Sequence, residues 1–391
     1  GSDRCSLYFD KIIDTQKPVI SNLNVNDTTV TAVLTDDKGL SSYGISSSNT
    51  VEPTNWTSIN GTSYNFSATI STEGTYYLWV KDTSGNVAKK EFTISLGTAI
   101  TTLLSTKTPD VYIENGYRYE GADPNNYICL DNKTGGACSS SSLLFRIIGL
   151  FDEDTSSDGT TSAGSKKLLK IIDTNNYGGT SGKVWNSSGT NNWSTASLKT
   201  ELNGTYLDAL LGTSNVNSKL SSAIANAKWH LGGANRTNYS TLTAEGIYTE
   251  ERNTSAIYSG NPSSIYAQVG LMYPSDYGYA TVGGTTTNKS SCRAKALFHW
   301  ADESYSDCKN NDWFFKSQAT IWNSYKNEWL ISPCSSYSDS VAGLSSTGVA
   351  NIDEGSWVRN RLVVRPSFYL DSSILKIVGG TGTSTDPYHI G

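Results

Sequence analysis

Short stretches in which apolar and polar residues alternate constrain the fold of this chain more than any other feature. Such alternation runs through Val19–Val25, Thr29–Thr35 and Tyr64–Ile70. Because successive side chains of a strand point to opposite faces, these stretches predict strands with one buried face. A hairpin follows, with Thr75–Lys81 and Val87–Ile94 on either side of a turn rich in Asp, Gly and Asn. Short strands separated by such turns predict an all-β sandwich.

Residues 17–97 also share a set of motifs in a fixed order. The motifs are Lys17-Pro18, the run from Thr35 to Leu40, Asn55-Trp56, the run from Gly74 to Asp82, and Gly85-Asn86. In these motifs the segment resembles the bacterial Ig-like repeats of surface proteins. The resemblance implies an Ig-like domain at 17–97 that acts as a spacer and lifts a binding domain from the cell surface. Residues 1–16 are then a lead segment, and residues 98–115 a linker.

The composition narrows the classes of function. Only 17% of the residues are charged and the net charge is −6, so no basic stripe is present to neutralise the phosphates of nucleic acid. The 23 Tyr and 10 Trp provide enough ring area to build cores, which argues against disorder. The apolar runs are shorter than the roughly eighteen residues that a membrane helix needs. We expect neither a nucleic-acid partner nor membrane insertion.

Beyond residue 116 the pattern combines strands with a few helices. The expected elements are paired strands at Leu143–Phe151 and Leu168–Ile172, a helix capped by Ser194 that continues to Leu211, a short helix at 218–226, a strand at Val269–Tyr273 and a helical segment from Asp312. These elements predict an α+β domain at 116–391, with helices in its first half and strands late.

Several motifs in this region also occur in a specific order. They are Asn125–Cys129, Phe145–Gly149, Trp193–Leu198, Leu202–Leu207, Gly270–Ala280, Trp329, Arg365-Pro366 and Gly382–Ile390. In these motifs residues 116–390 resemble an uncharacterised, C-type-lectin-like family of surface proteins from gut bacteria, similar to the ligand-binding domains that retroelements diversify. The resemblance implies that the N- and C-terminal strands pair, that two helices pack on the sheet, and that loops between the late strands form the binding face.

Two late apolar runs, Trp329–Pro333 and Leu362–Leu370, bracket a long stretch rich in Ser, Gly and Asn. The stretch has too many small residues to form a core and is typical of variable loops on a rigid sheet. It also contains residue types that dominate binding surfaces. The candidate ligand-binding residues are Ser335, Ser336, Tyr337, Asp339, Asn351, Asp353, Glu354, Trp357, Arg359 and Asn360. The alternative is an ordinary surface hairpin with Trp357 folded back into the core.

Six cysteines in a chain rich in Ser, Thr and Asn favour an oxidising compartment. Cys129 and Cys138 flank a turn-rich loop that a disulfide could close, and Cys292 and Cys308 flank a similar excursion. Two further cysteines, Cys5 and Cys334, either pair or stay free, since connectivity does not follow from sequence.

We predict no cofactor, with Ca²⁺ as the alternative. Sugar-binding C-type lectins hold Ca²⁺ through Glu-Pro-Asn or Gln-Pro-Asp with Trp-Asn-Asp, and the second domain has none of these tripeptides. Asn311-Asp312-Trp313 has the composition in a different order, and we interpret it as a solvated turn before a packed Trp. In the first domain, Asp36, Asp37 and Asp82 lie at facing loop ends and could bind Ca²⁺, although Asp commonly caps turns.

An enzyme on the same lectin-like fold is one alternative function. Formylglycine-generating oxidases need two reactive cysteines, and Cys308 and Cys334 are the late candidates, but a disulfide is the expected fate of such residues. A glycosidase would need two carboxylates; Asp152-Glu153-Asp154 and Glu250-Glu251 are interpreted as solvated loops. The histidines lie far apart in the sequence and are interpreted as structural: His230, His299 and His389.

Together these observations predict an extracellular, bacterial cell-surface adhesin or ligand-binding protein. Its expected partner is a host or community glycan or glycoprotein, with a protein ligand as the next choice. A structural pilus or cell-wall component is the second alternative beside the enzyme.

Overall fold

The computed structural model describes residues 14–26, 28–70, 72, 74–94, 98–107, 110–321, 327–351 and 357–391. The chain divides into two compact units, Gly1–Leu96 and Gly97–Gly391. Each unit buries its own cluster of apolar side chains. Strands predominate in the described residues, and the helices are short.

The described part of the first unit consists of strands and connecting loops. Its strands are β1 (Val19–Asn26), β2 (Thr29–Thr35), β3 (Leu40–Ser46), β4 (Thr57–Ser58), β5 (Ser63–Thr69), β6 (Gly74–Asp82) and β7 (Val87–Ile94). They form two antiparallel sheets, ordered β1-β2-β5 and β4-β3-β6-β7. Val30 and Leu34 of one sheet share a core with Leu78 and Val80 of the other. The predicted strands are all present, whereas the sequence analysis missed β3 and β4.

The second unit contains seventeen further strands in the described residues. They are β8 (Thr98–Ala99), β9 (Val111–Ile113), β10 (Tyr117–Tyr119), β11 (Tyr127–Cys129), β12 (Leu144–Thr155), β13 (Gly164–Asp173), β14 (Lys183–Val184), β15 (Ala227–His230), β16 (Ser264–Ala267), β17 (Val269–Gly270), β18 (Asn327–Pro333), β19 (Val341–Ser345), β20 (Ala350–Asn351), β21 (Arg361–Leu362), β22 (Ser367–Asp371), β23 (Lys376–Gly379) and β24 (Tyr388–Ile390).

Short helices lie between these strands. They are α1 (Ile100–Thr106), α2 (Ser197–Glu201), α3 (Leu207–Leu211), α4 (Leu220–Ala223), α5 (Ala244–Arg252), α6 (Pro274–Tyr279), α7 (Lys289–Ala294), α8 (Ser306–Asn310) and α9 (Trp313–Ile321). Most helical residues follow residue 196, and the two longest strands, β12 and β13, precede it. Helices α2 to α5 lie in the first half of 116–391 and β18 to β24 lie late, as predicted, but the long strands β12 and β13 come early and α6 to α9 lie in the second half.

The main sheet of the second unit follows the order β17-β22-β13-β12-β11-β24-β23-β8. Its centre is the antiparallel pair β12 and β13, which extends from Phe145 opposite Asp173 to Thr155 opposite Gly164. This pair was predicted. At the other edge β24 pairs with β11 in parallel, and β23 pairs with β8. Strands from the two ends of the unit thus pair, as the resemblance implies.

The segment predicted as a linker, residues 98–115, contributes structure to the second unit. It contains β8, α1 and β9, and the buried side chains of Ile100 and Leu104 belong to the core of that unit. The apolar residues Ile100, Leu103 and Leu104 lie on one face of a helical turn, which explains why this segment packs instead of remaining extended.

Two predicted helices differ from the observed ones. Ser194 caps no α-helix, because a 3-10 turn at 193–195 buries Trp193 and the α-helix starts at Ser197. The helix predicted at 218–226 ends at Ala223 because the chain then pairs with β22: the Ala225 N–H donates to the Tyr369 carbonyl oxygen at 2.8 Å. Tertiary pairing overrides local helical periodicity here.

The late part of the chain forms a separate three-stranded sheet, β18-β19-β20. Strand β19 lies within the stretch expected to form only loops, yet Val341 and Leu344 are fully buried. That expectation is therefore wrong in part. A buried ion pair lies beneath this region: Arg365 donates from Nε to Glu328 Oε1 at 2.7 Å and from Nη2 to Oε2 at 2.9 Å. Such a two-point contact fixes the relative position of the two segments.

Aromatic side chains supply much of the core of the second unit. The fully buried tryptophans are Trp185, Trp193, Trp229, Trp300, Trp313 and Trp329. Several of their ring nitrogens donate to backbone carbonyls, such as Trp329 Nε1 to Lys183 at 2.8 Å. The aromatic residues thus build a core in this unit, as their number in the sequence predicts.

Disulfides join Cys129 to Cys138 and Cys292 to Cys308, as predicted. Cys334 is a buried free thiol, while Cys5 lies outside the described residues. No helix in the described part of the chain has both the length and the apolar character needed to cross a membrane.

Candidate functional site

Most of the predicted binding residues lie on two adjacent loops. One loop follows β18 and contains Ser335 to Asp339; the other precedes β21 and contains Trp357 to Asn360. Ser340 and Trp357 form a bridge, and the Val358 N–H donates to the Asp339 carbonyl oxygen at 2.9 Å. Asn351 ends β20. Asp353 and Glu354 lie outside the described residues.

Two aromatic residues of these loops are exposed to solvent. Trp357 is 51% exposed and Tyr337 is 44% exposed, in a unit that buries six other tryptophans. The next residue, Val358, is buried, so the loop is packed while the Trp357 ring faces outward. The alternative in which Trp357 folds back into the core is wrong.

The side chain of Asn191 holds the first loop in place. Asn191 is almost fully buried, and its Nδ2 lies 2.8 Å from the carbonyl oxygens of Cys334 and Tyr337 and 3.0 Å from that of Ser340. Its Oδ1 accepts from Asn261 Nδ2 at 2.8 Å. The amide thereby supplies a donor to the carbonyl oxygens of Cys334 and Tyr337, while that of Ser340 also accepts from the Cys334 N–H at 3.0 Å. These contacts give the loop around Tyr337 a defined shape.

The segment 233–237 lies against the same loop from the other side. Ser335 N–H donates to the Ala234 carbonyl oxygen, and Arg236 N–H donates to Ser336 Oγ, both at 3.0 Å. The Arg236 guanidinium stands 4.9 Å from the centre of the Tyr337 ring, within the range of a cation–π contact. A Cβ atom at Gly233 would collide with the Pro333 carbonyl oxygen, so glycine permits this close approach.

A polar groove of about 520 Å³ opens beside the first loop. It is lined by Asn235, Thr237, Glu250, Asn253, Ser255, Ala256, Ile257, Ser335 and Ser336. Two of the predicted binding residues therefore border a cavity whose other walls come from the segment 235–237 and from the end of α5. We call this cavity the late-loop groove.

The late-loop groove is suited to a ligand with many hydroxyl groups. Its lining contains amides, hydroxyls and one carboxylate, Glu250, and none of the described lining residues is Lys or Arg. Glu250 Oε2 accepts from Asn253 Nδ2 at 3.2 Å, which orients both groups. Donors and acceptors of this kind match hydroxyls, whereas a phosphate or sulfate would call for cations.

The sequence analysis missed the residues that complete this site. Asn191, Asn235, Arg236 and Asn253 occur in loops far from residues 335–360 along the chain, and each is one of many similar polar residues. Asn191 and Arg236 contact residues at least 100 positions away, such as Tyr337 for Asn191 and Ser336 for Arg236. Asn235 and Asn253 come to the site as lining of the late-loop groove. Only the triplet Asn235-Arg236-Thr237 could have been recognised from local sequence, as a polar turn after an apolar run.

Of the carboxylates interpreted as solvated loops, Glu250 lines the late-loop groove, whereas Glu153 and Glu251 are not in its lining. Glu153 is a buried residue of β12, and Glu251 is a buried residue of α5. Both contact Arg252, whose Nη2 lies 3.3 Å from Glu153 and whose Nη1 lies 3.3 Å from Glu251. Burial raises the pKa of Glu251 to about 7, and the nearby Arg252 opposes this rise. The interpretation of Glu153 and Glu251 as solvated is wrong.

Asp312 stabilises the start of a helix. It is fully buried, and its Oδ1 accepts from the backbone N–H of Phe314 at 2.9 Å, at the beginning of α9. Burial raises the pKa of Asp312 well above its usual value. Trp313 is packed as expected, but the turn that precedes it is buried and not solvated.

The thiol and imidazole groups are tied into structural contacts. Cys308 is bonded to Cys292, so it cannot form a thiol pair with Cys334. His389 is buried, with Nδ1 lying 3.1 Å from Asp131 and Nε2 lying 2.9 Å from the Gly136 carbonyl oxygen. Cys129 lies beside this pair but is part of a disulfide. These contacts support the interpretation of His389 as structural.

Comparisons of the chain with family models, with curated proteins and with solved structures found no match.

Proposed function

We propose that the protein is an extracellular cell-surface adhesin of bacteria, in which an Ig-like spacer carries a C-type-lectin-like domain that binds a glycan. The observation that carries the proposal is the exposure of two aromatic rings, Tyr337 and Trp357, on adjacent loops. The loop that carries Tyr337 also borders the late-loop groove through Ser335 and Ser336. Aromatic faces stack on the apolar faces of sugars, and the polar lining meets the hydroxyls. The two disulfides support an oxidising location.

The ordered loops favour binding. Asn191 and Arg236 fix the loop of Tyr337 before any ligand arrives, so less conformational entropy is lost on association. Glu250 is the one carboxylate among the described residues of the groove lining, whereas glycoside hydrolysis takes a pair of carboxylates. The lining of the groove therefore fits a binding surface better than a hydrolytic site.

The test is a glycan array probed with the full chain, followed by calorimetric titration of the best ligand. Trp357→Ala and Tyr337→Ala are each expected to weaken binding at least tenfold, about 1.4 kcal/mol, because exposed aromatic anchors dominate such interfaces. Tyr112→Ala is the matched control, since Tyr112 is 43% exposed in the same unit but lies outside the two loops. An empty array, or unchanged affinity in both loop variants, would contradict the proposal.

A further inference from the structure

Three carboxylates converge in the first unit. Asp14, Asp36 and Asp37 each offer one oxygen, and these oxygens all lie within 4.8 Å of one another. Asp14 belongs to the segment that leads into β1, while Asp36 and Asp37 follow β2. Negative groups at this spacing repel one another unless positive charge lies between them.

Two buried oxygens of the cluster have no hydrogen-bond partner among the described residues. Asp36 is 7% exposed, and its Oδ1 accepts from the backbone N–H groups of Lys38 at 3.0 Å and Gly39 at 2.8 Å. Neither its Oδ2 nor Oδ2 of Asp14 accepts a hydrogen bond from a residue that the structure describes. Folding takes both atoms out of water without replacing the hydrogen bonds they lose, which is unfavourable. A bound cation would remove this deficit.

Hydrogen bonds hold the cluster in place. Asp14 accepts from the Gln16 N–H at Oδ1, and its carbonyl oxygen accepts from Asn86 Nδ2 at 3.0 Å. The Asp36 N–H donates to the Thr62 carbonyl oxygen at 3.0 Å. Hydrogen bonds to neighbouring loops therefore set the positions of Asp14 and Asp36. The two carboxylates do not position each other.

Asp82, which the sequence analysis grouped with Asp36 and Asp37, has a different role. Its Oδ1 accepts from the N–H groups of Ser84 and Asn86 at 2.8 Å, and its Oδ2 accepts from Asn86 Nδ2 at 2.7 Å. Asp82 thus caps its own turn, as the alternative interpretation held, and Asp14 takes its place in the cluster.

In the part of the chain that the structure describes, one ion pair reaches the cluster. Lys38 Nζ lies 3.3 Å from Asp37 Oδ2, and both side chains are more than half exposed. An exposed pair of this kind contributes little because water screens it. Among the described residues, this exposed ammonium group contacts Asp37 and leaves the buried Oδ2 of Asp36 uncompensated.

We propose that Asp14, Asp36 and Asp37 bind a Ca²⁺ ion that ties the segment leading into β1 to the turn between β2 and β3. The ligand atoms of the cluster are all oxygens, which a hard cation prefers, and it has no His or Cys to favour zinc. Oxygens that share one Ca²⁺ at its usual bond lengths lie no more than about 5 Å apart, in agreement with the observed spacing. Carboxylates from two separate segments suit the irregular coordination of Ca²⁺ better than the strict octahedron of Mg²⁺.

The experiment uses the full chain, stripped with EDTA and dialysed, and measures thermal unfolding and isothermal titration with CaCl₂ or MgCl₂. Saturating Ca²⁺ is expected to raise the melting temperature of the first unit by roughly 10 °C, with one ion bound per chain. Asp36→Asn and the exposed Asp37→Asn should each abolish the shift. Glu52→Gln, an equal change of charge on a partly exposed side chain outside the cluster, should preserve it.

The absence of any Ca²⁺ response, an equal response to Mg²⁺, or a full response in Asp37→Asn would each overturn the proposal. Asp37→Asn keeps the test decisive if Asp36→Asn does not fold, since Asp37 is largely exposed. The outcome is independent of glycan binding, because the loop variants of the second unit leave all three carboxylates unchanged.

Discussion

Glu251 lies on α5 with its carboxylate almost fully buried among charged and polar groups. Ser275 donates to it from both N–H and Oγ, Arg252 approaches one oxygen, and the nearby negative charge of Asp276 acts against ionisation. Burial is the largest influence and raises the pKa to about 7. The native state therefore holds this proton more tightly than the unfolded chain does.

The stability of the second unit should accordingly fall as the pH rises from about 5 to about 7. In this window the native Glu251 keeps its proton while the unfolded one, with a pKa near 4.3, has lost it, so the slope for this group approaches about 1.4 kcal/mol per pH unit. Asp173, whose pKa burial raises to about 6, adds to the slope at the acidic end. Urea unfolding at several pH values measures the effect.

Glu251→Gln should flatten this slope, most clearly between pH 6 and 7. Glu245→Gln provides the control, because Glu245 is an exposed residue of the same helix. Equal slopes in the wild-type protein and in Glu251→Gln would show that the carboxylate is ionised throughout the window.

Single residues also show what could be predicted from the sequence. The two disulfides could be predicted because each pair flanks a short turn-rich loop. The exposure of Tyr337 and Trp357 agrees with their polar surroundings in the sequence. The role of Asn191 could not be predicted, since its three carbonyl partners lie 143 to 149 positions away.

At the scale of elements, the loop after β18 depends on Asn191 for its shape. Asn191→Ala removes the donor to the carbonyl oxygens of Cys334, Tyr337 and Ser340. We expect the unfolding free energy to fall by about 1 to 3 kcal/mol, because the carbonyl oxygens of Cys334 and Tyr337 lose their donor, whereas that of Ser340 keeps the Cys334 N–H. Amide hydrogen exchange should become faster in residues 335–340. Unchanged exchange there would show that the loop is ordered by other contacts.

Asn310→Ala is the matched control for this variant. Asn310 is exposed, and its side chain makes no hydrogen bond with any described residue. Its replacement should leave both the unfolding free energy and the exchange of residues 335–340 close to those of the wild-type protein.

Strands could be predicted more reliably than helices in this chain. Strands β2 and β7 have the predicted ends because alternation or β-branched residues mark them. Strand β3 was missed because Leu40–Ser46 has weak alternation. The strand expected at Val269–Tyr273 pairs with β22 only at its first two residues, since Pro274 then begins α6. The end of β17 therefore depends on pairing with the distant β22, which local alternation does not reveal.

At the scale of the whole molecule, the two units should respond separately to reduction. Both disulfides of the described residues lie in the second unit. Each closes a short loop and contributes about 3 kcal/mol by restricting the unfolded chain. Calorimetry with a reductant should therefore lower the transition of the second unit and leave that of the first unit in place.

The double variant Cys292→Ser with Cys308→Ser should reproduce part of this shift without a reductant. Cys334→Ser is its control, because Cys334 is buried like Cys308 but carries no bridge. A common shift of both transitions on reduction would mean that the units do not unfold independently.

The neighbouring strands at the two ends of the second unit determine how it carries a mechanical load. Strand β8 runs antiparallel to β23, which runs antiparallel to β24, so β8 and β24 point the same way. Tension applied between the start of β8 and the end of β24 pulls these strands past each other lengthwise. The hydrogen bonds that join them through β23 are then stretched together instead of being opened one at a time.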